Sequence, residues 1–257
     1  MTAINELTTE QVIQKQKNGA KIIDIRPVDA YNGWRLQNEK RGGHIKGARS
    51  LPAKWTNYMD WIEIVEHKGF EPEDELIVYG YHAEEAERVA KLFNKIGYAR
   101  VNLYHHFLSE WVSGDYPMEH LTNYRNLVPA QWVKQLIDGE KPDEYENSNF
   151  KIVHSHYRNR DAYLSGHIPG AIDMDTLALE SPETWNRRNP RELKEALEKH
   201  GITSDSTVIV YGKFMHPDND DEFPGSAAGH IGAIRNAFIM MYAGVRDVRV
   251  LNGGFQS

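Results

Sequence analysis

The hexapeptide Gly43-His44-Ile45-Lys46-Gly47-Ala48 returns in the second half of the chain as Gly166-His167-Ile168-Pro169-Gly170-Ala171. Each copy is followed by an apolar run that ends in Tyr-Gly, at Leu76-Ile77-Val78-Tyr79-Gly80 and again at Val208-Ile209-Val210-Tyr211-Gly212. Runs of this length, bounded by glycine, are typical of buried strands. Because the order of motifs is duplicated, the sequence predicts two copies of one domain in tandem.

Helices are predicted between these strands. Thr8 with Gln11, and Asn189 with Glu192, form the capping-box pattern that starts a helix. A third helix is predicted from about Ala83 to Ile96, with Gly97 at its end. Strands alternating with helices predict an α/β fold, each copy having a mostly parallel central sheet flanked by helices on both faces. We place domain 1 at residues 1–122 and domain 2 at residues 123–257.

The composition limits the classes of partner. The formal net charge is −7 and no stripe of Lys and Arg is present, which argues against nucleic acid as a partner. No apolar run is long enough to span a membrane, and the first residues lack the apolar core of a signal peptide. The sequence therefore predicts a soluble chain, cytoplasmic as given, or periplasmic if a signal peptide has been removed.

The chain contains no cysteine, so thiol nucleophiles, thiolate metal sites and disulfides are excluded. This count also excludes phosphatases and arsenate reductases that act through a loop cysteine. A serine hydrolase built on Ser226 is disfavoured, because no base is placed beside that hydroxyl by the sequence.

Together, Asp24-x-Arg26, the repeated Gly-His-Ile-x-Gly-Ala and the strand ending in Tyr resemble the rhodanese family of sulfurtransferases, over almost the whole chain and twice. The resemblance implies two tandem rhodanese-like domains. It also implies that a reactive cysteine should follow each Tyr-ending strand, where backbone N–H groups and a helix N-terminus stabilise a thiolate. Gly80 and Gly212 occupy those positions, so we expect two pseudo-active sites and no catalytic residue in this chain.

The chain resembles most the first two, cysteine-free domains of three-domain bacterial thiosulfate sulfurtransferases. That likeness implies a C-terminal catalytic rhodanese domain as partner, and a second domain truncated at residue 257. The whole enzyme would transfer sulfane sulfur from thiosulfate to a thiophilic acceptor, with no cofactor, and this chain alone would be inactive. The alternative is an inactive rhodanese-like module that binds a protein or a small sulfur anion.

The repeated motifs also have a structural interpretation. We expect His44 and His167 to hydrogen-bond backbone groups that fix a turn, and Gly47 and Gly170 to supply unusual backbone angles. Asp24 and Arg26 are expected to form an ion pair beside the loop. His154 and His156 stand at the equivalent positions in the second copy, which suggests that this copy has diverged further from catalysis.

Three candidate ligand sites remain open at this point, one for an anion and two for a metal. Gly80, Tyr81, His82 and Ala83 could keep an N–H-lined cup for sulfate or thiosulfate at a helix N-terminus. The acidic stretch 213–225, with His216, Asp218, Asp220, Asp221 and Glu222, or the His154-x-His156 pair could hold a metal. The preferred interpretation of the two metal candidates is structural, a solvated acidic loop and ordinary histidines, so we expect no metal site.

Overall fold

The computed structural model describes residues 4–213 and 229–256. Two compact units divide the chain, unit 1 at Met1–Tyr124 and unit 2 at Arg125–Ser257. Among the described residues no helix is both long and apolar enough to cross a bilayer. Of the acidic stretch 213–225 only Lys213 belongs to the described residues, and Ser226 also lies outside them.

Unit 1 is built on one five-stranded sheet whose paired strands are all parallel. The elements of unit 1 are β1 (Asn5–Glu6), α1 (Thr9–Lys17), β2 (Lys21–Asp24), α2 (Val28–Asn32), β3 (His44–Ile45), β4 (Arg49–Ser50), α3 (Trp61–His67), β5 (Glu75–Tyr79), α4 (Ala83–Lys95), β6 (Arg100–Leu103) and β7 (Met118–Glu119). The strand order in the sheet is β1-β6-β5-β2-β4, and a separate antiparallel pair joins β3 to β7.

Unit 2 repeats this plan, with a five-stranded parallel sheet in the order β10-β9-β11-β12-β8. Its elements are β8 (Leu127–Val128), α5 (Ala130–Ile137), β9 (Phe150–His156), α6 (Arg160–Leu164), β10 (Ile172–Asp175), α7 (Pro190–Lys199), β11 (Thr207–Tyr211), α8 (Gly229–Tyr242) and β12 (Asp247–Leu251). The predicted α/β fold with two parallel sheets is confirmed.

The predicted helix starts are also confirmed. The side chain of Thr8 accepts a hydrogen bond from the backbone N–H of Gln11, whose side chain accepts one from the N–H of Thr8. Asn189 and Glu192 make the same reciprocal pair at the start of α7. Each pair satisfies two backbone donors that the first turn of a helix leaves free.

Successive side chains of β2 pack into apolar clusters on opposite faces of the sheet. Ile22 packs in a cluster with Val12 of α1 and Trp111, whereas Ile23 packs in a cluster with Val89 and Phe93 of α4. Successive side chains of a strand point to opposite faces, so a strand that is apolar at both positions needs cover on each. The sheet of unit 1 is therefore sandwiched between two apolar layers.

Candidate functional site

The strand pairing places the two candidate sites at equivalent positions. Asp24, the last residue of β2, lies opposite Tyr79 of β5, and His154 of β9 lies opposite Tyr211 of β11. In both units the site is therefore at the carboxyl ends of two neighbouring parallel strands. This edge is where open α/β sheets bind ligands.

A tyrosine and a histidine form the same contact in both units. The ring of His44 stacks on Tyr31 at 3.7 Å between centroids, and its Nδ1 lies 2.7 Å from the Tyr31 carbonyl oxygen. His167 stacks on Tyr163 at 4.0 Å, with Nδ1 3.0 Å from the Tyr163 carbonyl. A carbonyl oxygen can only accept, so Nδ1 of His44 carries the proton in this contact, and burial lowers the pKa of the ring.

The rest of each motif also holds the turn. Gly47 and Gly170 both have φ of +78°, a left-handed backbone angle that favours glycine. In unit 1 the backbone N–H of Ile45 donates to the Tyr79 hydroxyl at 3.1 Å. In unit 2 the N–H of Ile168 makes the same bond to Tyr211 at 2.9 Å. These motif contacts tie the turn to the Tyr-ending strand.

Asp24 and Arg26 form a buried ion pair in unit 1. Arg26 Nη2 lies 2.6 Å from Asp24 Oδ2, and Nε lies 3.0 Å from Oδ1. The Tyr79 hydroxyl donates to the same carboxylate at 2.7 Å, and Arg26 Nη2 also donates to the Gly43 carbonyl at 2.7 Å. The guanidinium lies over the ring of Phe107 at 4.3 Å.

Electrostatics keep this cluster in defined protonation states. Burial opposes the charge of Arg26, but Asp24 more than offsets that effect, so the pKa of the guanidinium lies above its ordinary value. Burial also raises the pKa of Tyr79, and the Asp24 charge raises it further. Arg26 is therefore a permanent cation, and the Tyr79 hydroxyl is a permanent hydrogen-bond donor.

The loop of unit 1 has little room for a side chain at its first residue. A Cβ atom built on Gly80 would lie 2.7 Å from Cγ1 of Ile25, which is buried. Tyr81 and His82 follow, and α4 begins at Ala83 without a side-chain cap. Glycine here leaves the backbone packed directly against the core. Neither Gly80 nor any neighbour offers a sulfur atom.

Binding of an anion by Gly80, Tyr81, His82 and Ala83 stays a prediction. The first turn of α4 already carries two carboxylates, Glu84 and Glu85, beside the N–H groups that an anion would use. Of the loop side chains, His82 is exposed and Tyr81 is half-buried. The Tyr81 side chain turns inward rather than towards solvent.

Tyr81 contacts Glu39, a residue that the sequence does not predict to belong to the site. Its hydroxyl donates a short hydrogen bond to the carboxylate of Glu39, whose side chain is 1% exposed. Arg26 Nη1 lies 3.8 Å from the same carboxylate. The sequence around Glu39, residues 35–42, is mostly polar and is typical of a surface loop. It therefore gave no indication that the Glu39 side chain is buried.

Unit 2 has histidines where unit 1 has the ion pair. His156 Nε2 lies 2.7 Å from Asp173 Oδ1, and its Nδ1 accepts from the backbone N–H of Asn159 at 3.3 Å. His154 is 1% exposed, and neither of its ring nitrogens has a hydrogen-bond partner among the described residues. Burial lowers the pKa of His154 to about 4, with a smaller contribution from neighbouring His156.

The surroundings of His154 are aromatic. Its ring centroid lies 4.8 Å from that of Tyr211, 5.6 Å from Tyr163 and 6.3 Å from Phe255. The backbone N–H of Phe255 donates to the carbonyl of Gly212 at 3.0 Å. Within the described ranges no group of three or more His, Asp or Glu residues is arranged to hold a metal, so the His154–His156 pair gains no third ligand there.

Comparison with known proteins gives a consistent result. The sequence matches the rhodanese-like domain family twice, over residues 8–114 and 122–257. It is 32% identical over 254 residues to the thiosulfate sulfurtransferase YnjE of Escherichia coli K12, covering 98% of this chain and 53% of YnjE.

Solved structures extend the comparison. The anaerobic ergothioneine biosynthesis enzyme of Chlorobium limicola, in complex with its natural substrate trimethyl histidine, is 62% identical, with a TM-score of 0.92 over 99% of this chain and 60% of that chain. A structure of EanB with ergothioneine covalently linked to a persulfide cysteine is also 62% identical, with a TM-score of 0.94 and the same coverage. The chain thus spans between about half and three fifths of the length of these relatives.

Proposed function

Because the chain belongs to the rhodanese family of sulfurtransferases, we propose that it forms the non-catalytic, two-domain N-terminal part of an enzyme that moves sulfane sulfur to an acceptor. The observation that carries the proposal is the absence of a thiol. Sulfane sulfur is carried by a cysteine as a persulfide, and a glycine offers no atom for it. The cysteine must then come from another domain, and a C-terminal rhodanese domain is the partner that we propose.

The acceptor is proposed from the relatives. Identity to the Chlorobium limicola enzyme is 62%, against 32% to YnjE, with nearly the whole chain covered in both cases. We therefore favour trimethyl histidine as the acceptor class, giving ergothioneine as the product. The donor would be a small sulfur anion, and thiosulfate is the candidate that the Escherichia coli relative suggests.

The first test uses this chain alone. It is incubated with thiosulfate or polysulfide and with either trimethyl histidine or cyanide, and its mass is then measured. We expect neither ergothioneine nor thiocyanate, and no adduct of a sulfur atom. Turnover in a homogeneous sample, or a covalent sulfur on this chain, would contradict the proposal.

The second test uses the complete polypeptide encoded by the gene. We expect a further rhodanese-like domain with a cysteine after its Tyr-ending strand, and ergothioneine formation that is lost when this cysteine is changed to serine. Thiocyanate formation without ergothioneine would assign the protein to the thiosulfate type. A reading frame without any such domain would instead favour a binding or interaction module.

A further inference from the structure

Two hydrogen-bond donors and one guanidinium of unit 1 converge on a buried carboxylate, that of Glu39. The backbone N–H of Gln37 donates to Glu39 Oε2 at 2.9 Å, and the Tyr81 hydroxyl donates to Oε1. Arg26 Nη1 faces Oε1 at 3.8 Å. An amide, a hydroxyl and a guanidinium around one carboxylate are the groups that proteins use to bind small oxyanions.

The backbone before Glu39 has an unusual conformation where the Glu39 side chain enters the protein. Asn38, immediately before it, has φ of +57°, a left-handed angle that a non-glycine residue adopts at a cost. Arg26 is 1% exposed and its other nitrogens are used by Asp24 and the Gly43 carbonyl. Only the Nη1 side of the guanidinium is directed to Glu39.

We propose that unit 1 contains a binding site for a small carboxylate or similar oxyanion, formed by Arg26, Tyr81 and the Gln37 N–H, and filled in the native chain by Glu39. The site lies beside the glycine loop, because Tyr81 belongs to both. Glu39 acts as an internal ligand that closes the site.

Chemical rescue tests the proposal. Glu39→Ala removes the carboxylate and leaves the Gln37 N–H, the Tyr81 hydroxyl and the Arg26 guanidinium without it, so the melting temperature should fall. Formate or acetate should then raise it in a saturable way. At a ligand concentration of about ten times the Kd, the ratio of folded to unfolded protein should increase about tenfold.

Matched samples separate this effect from general salt effects. The native protein and Glu63→Ala, which removes an exposed carboxylate of α3, should respond to formate no more than to chloride at equal ionic strength. A Glu39→Ala variant that formate stabilises no more than chloride does would overturn the proposal. So would an equal response of the native protein.

A second variant covers the case in which Glu39→Ala does not fold. Glu39→Gln keeps the size of the side chain, and its amide oxygen still accepts from Tyr81 or Gln37. It should fold with a lower melting temperature and ignore formate, because its own side chain fills the site. A Glu39→Gln variant as stable as the native protein would show that the donors do not require an anion, and would also overturn the proposal.

Discussion

The buried imidazole of His154 should make the stability of unit 2 depend on pH. In the folded chain burial lowers the pKa of His154 to about 4, from an ordinary value of 6.5. The folded state therefore favours the neutral ring, and the unfolded state binds the proton more readily. The contribution of the neutral His154 ring to the free energy of unfolding is fully present above pH 6.5. It is lost as the pH falls from there towards the folded pKa of about 4.

The magnitude follows from the two pKa values. At about 1.4 kcal/mol for each pH unit, the separation between 6.5 and about 4 corresponds to about 3–4 kcal/mol. At about pH 5 only part of it is lost, about 2 kcal/mol relative to neutral pH. A single domain has a total stability of about 5–15 kcal/mol, so this loss is measurable.

The assay compares the native protein with His154→Asn, which removes the titrating ring. Urea unfolding is followed by pulsed hydrogen exchange at one fixed labelling pH, read on peptides that cover β9 and β11 and so report on unit 2 alone. Between about pH 7.5 and pH 5 the native free energy of unfolding should fall by about 2 kcal/mol more than that of the variant. His200→Asn, which removes a histidine of α7's C-terminal end in the same unit, should follow the native curve. Parallel curves for the native protein and His154→Asn would refute the reasoning.

Three further predictions concern unit 1. Gly80→Cys should destabilise the chain by about 1–3 kcal/mol, because the new Cβ meets Ile25. The same substitution should cost less when it is made in an Ile25→Ala background, as a double-mutant cycle by chemical denaturation would show. An unchanged midpoint for Gly80→Cys would contradict the packing argument. Asp24→Asn should cost about 3–5 kcal/mol, since it removes the charged partner that hydrogen-bonds Arg26 and leaves only Glu39, at 3.8 Å, as a carboxylate beside the buried guanidinium. Glu87→Gln, in the exposed pair with Lys91, should cost less than about 1 kcal/mol. Similar losses for the two variants would count against this reasoning. If the loop at residues 80–83 binds sulfur anions, thiosulfate should raise the melting temperature of the native chain more than chloride does, and no difference at millimolar concentration would remove that candidate.

The parts of the fold that the sequence predicted are those with local causes. A capping box needs only residues three apart, so the starts of α1 and α7 could be placed from Thr8 and Asn189 alone. Buried parallel strands read as continuous apolar runs, so β5 and β11 were also visible. The short helices α2 and α3 have no side-chain cap, and α6 has a capping Asn159 without the reciprocal partner of a capping box, so none of the three is predicted.

Burial of polar side chains could not be predicted in the same way. Glu39 is brought to Tyr81 across 42 positions of sequence, and nothing in its neighbourhood distinguishes it from a surface residue. The exchange of Asp24 and Arg26 for His154 and His156 was visible in the sequence. The different surroundings of the two histidines were not visible. His156 contacts Asp173 of β10, whereas His154 lies among aromatic rings and has no hydrogen-bond partner among the described residues.

The two units show which contacts the site requires and which it can exchange. Both keep the Tyr–His stack, the contact of the His Nδ1 with the Tyr carbonyl oxygen, and the bond from an isoleucine N–H to the Tyr hydroxyl. None of these contacts uses Asp24 and Arg26 or their counterparts His154 and His156, so these four positions can differ between the units while the turn is kept. In unit 1 these positions hold the buried ion pair of Asp24 and Arg26, and the Tyr79 hydroxyl donates to Asp24. Unit 2 places the uncharged His154 at the same register, and its Tyr211 donates to no acceptor in the described part of the chain.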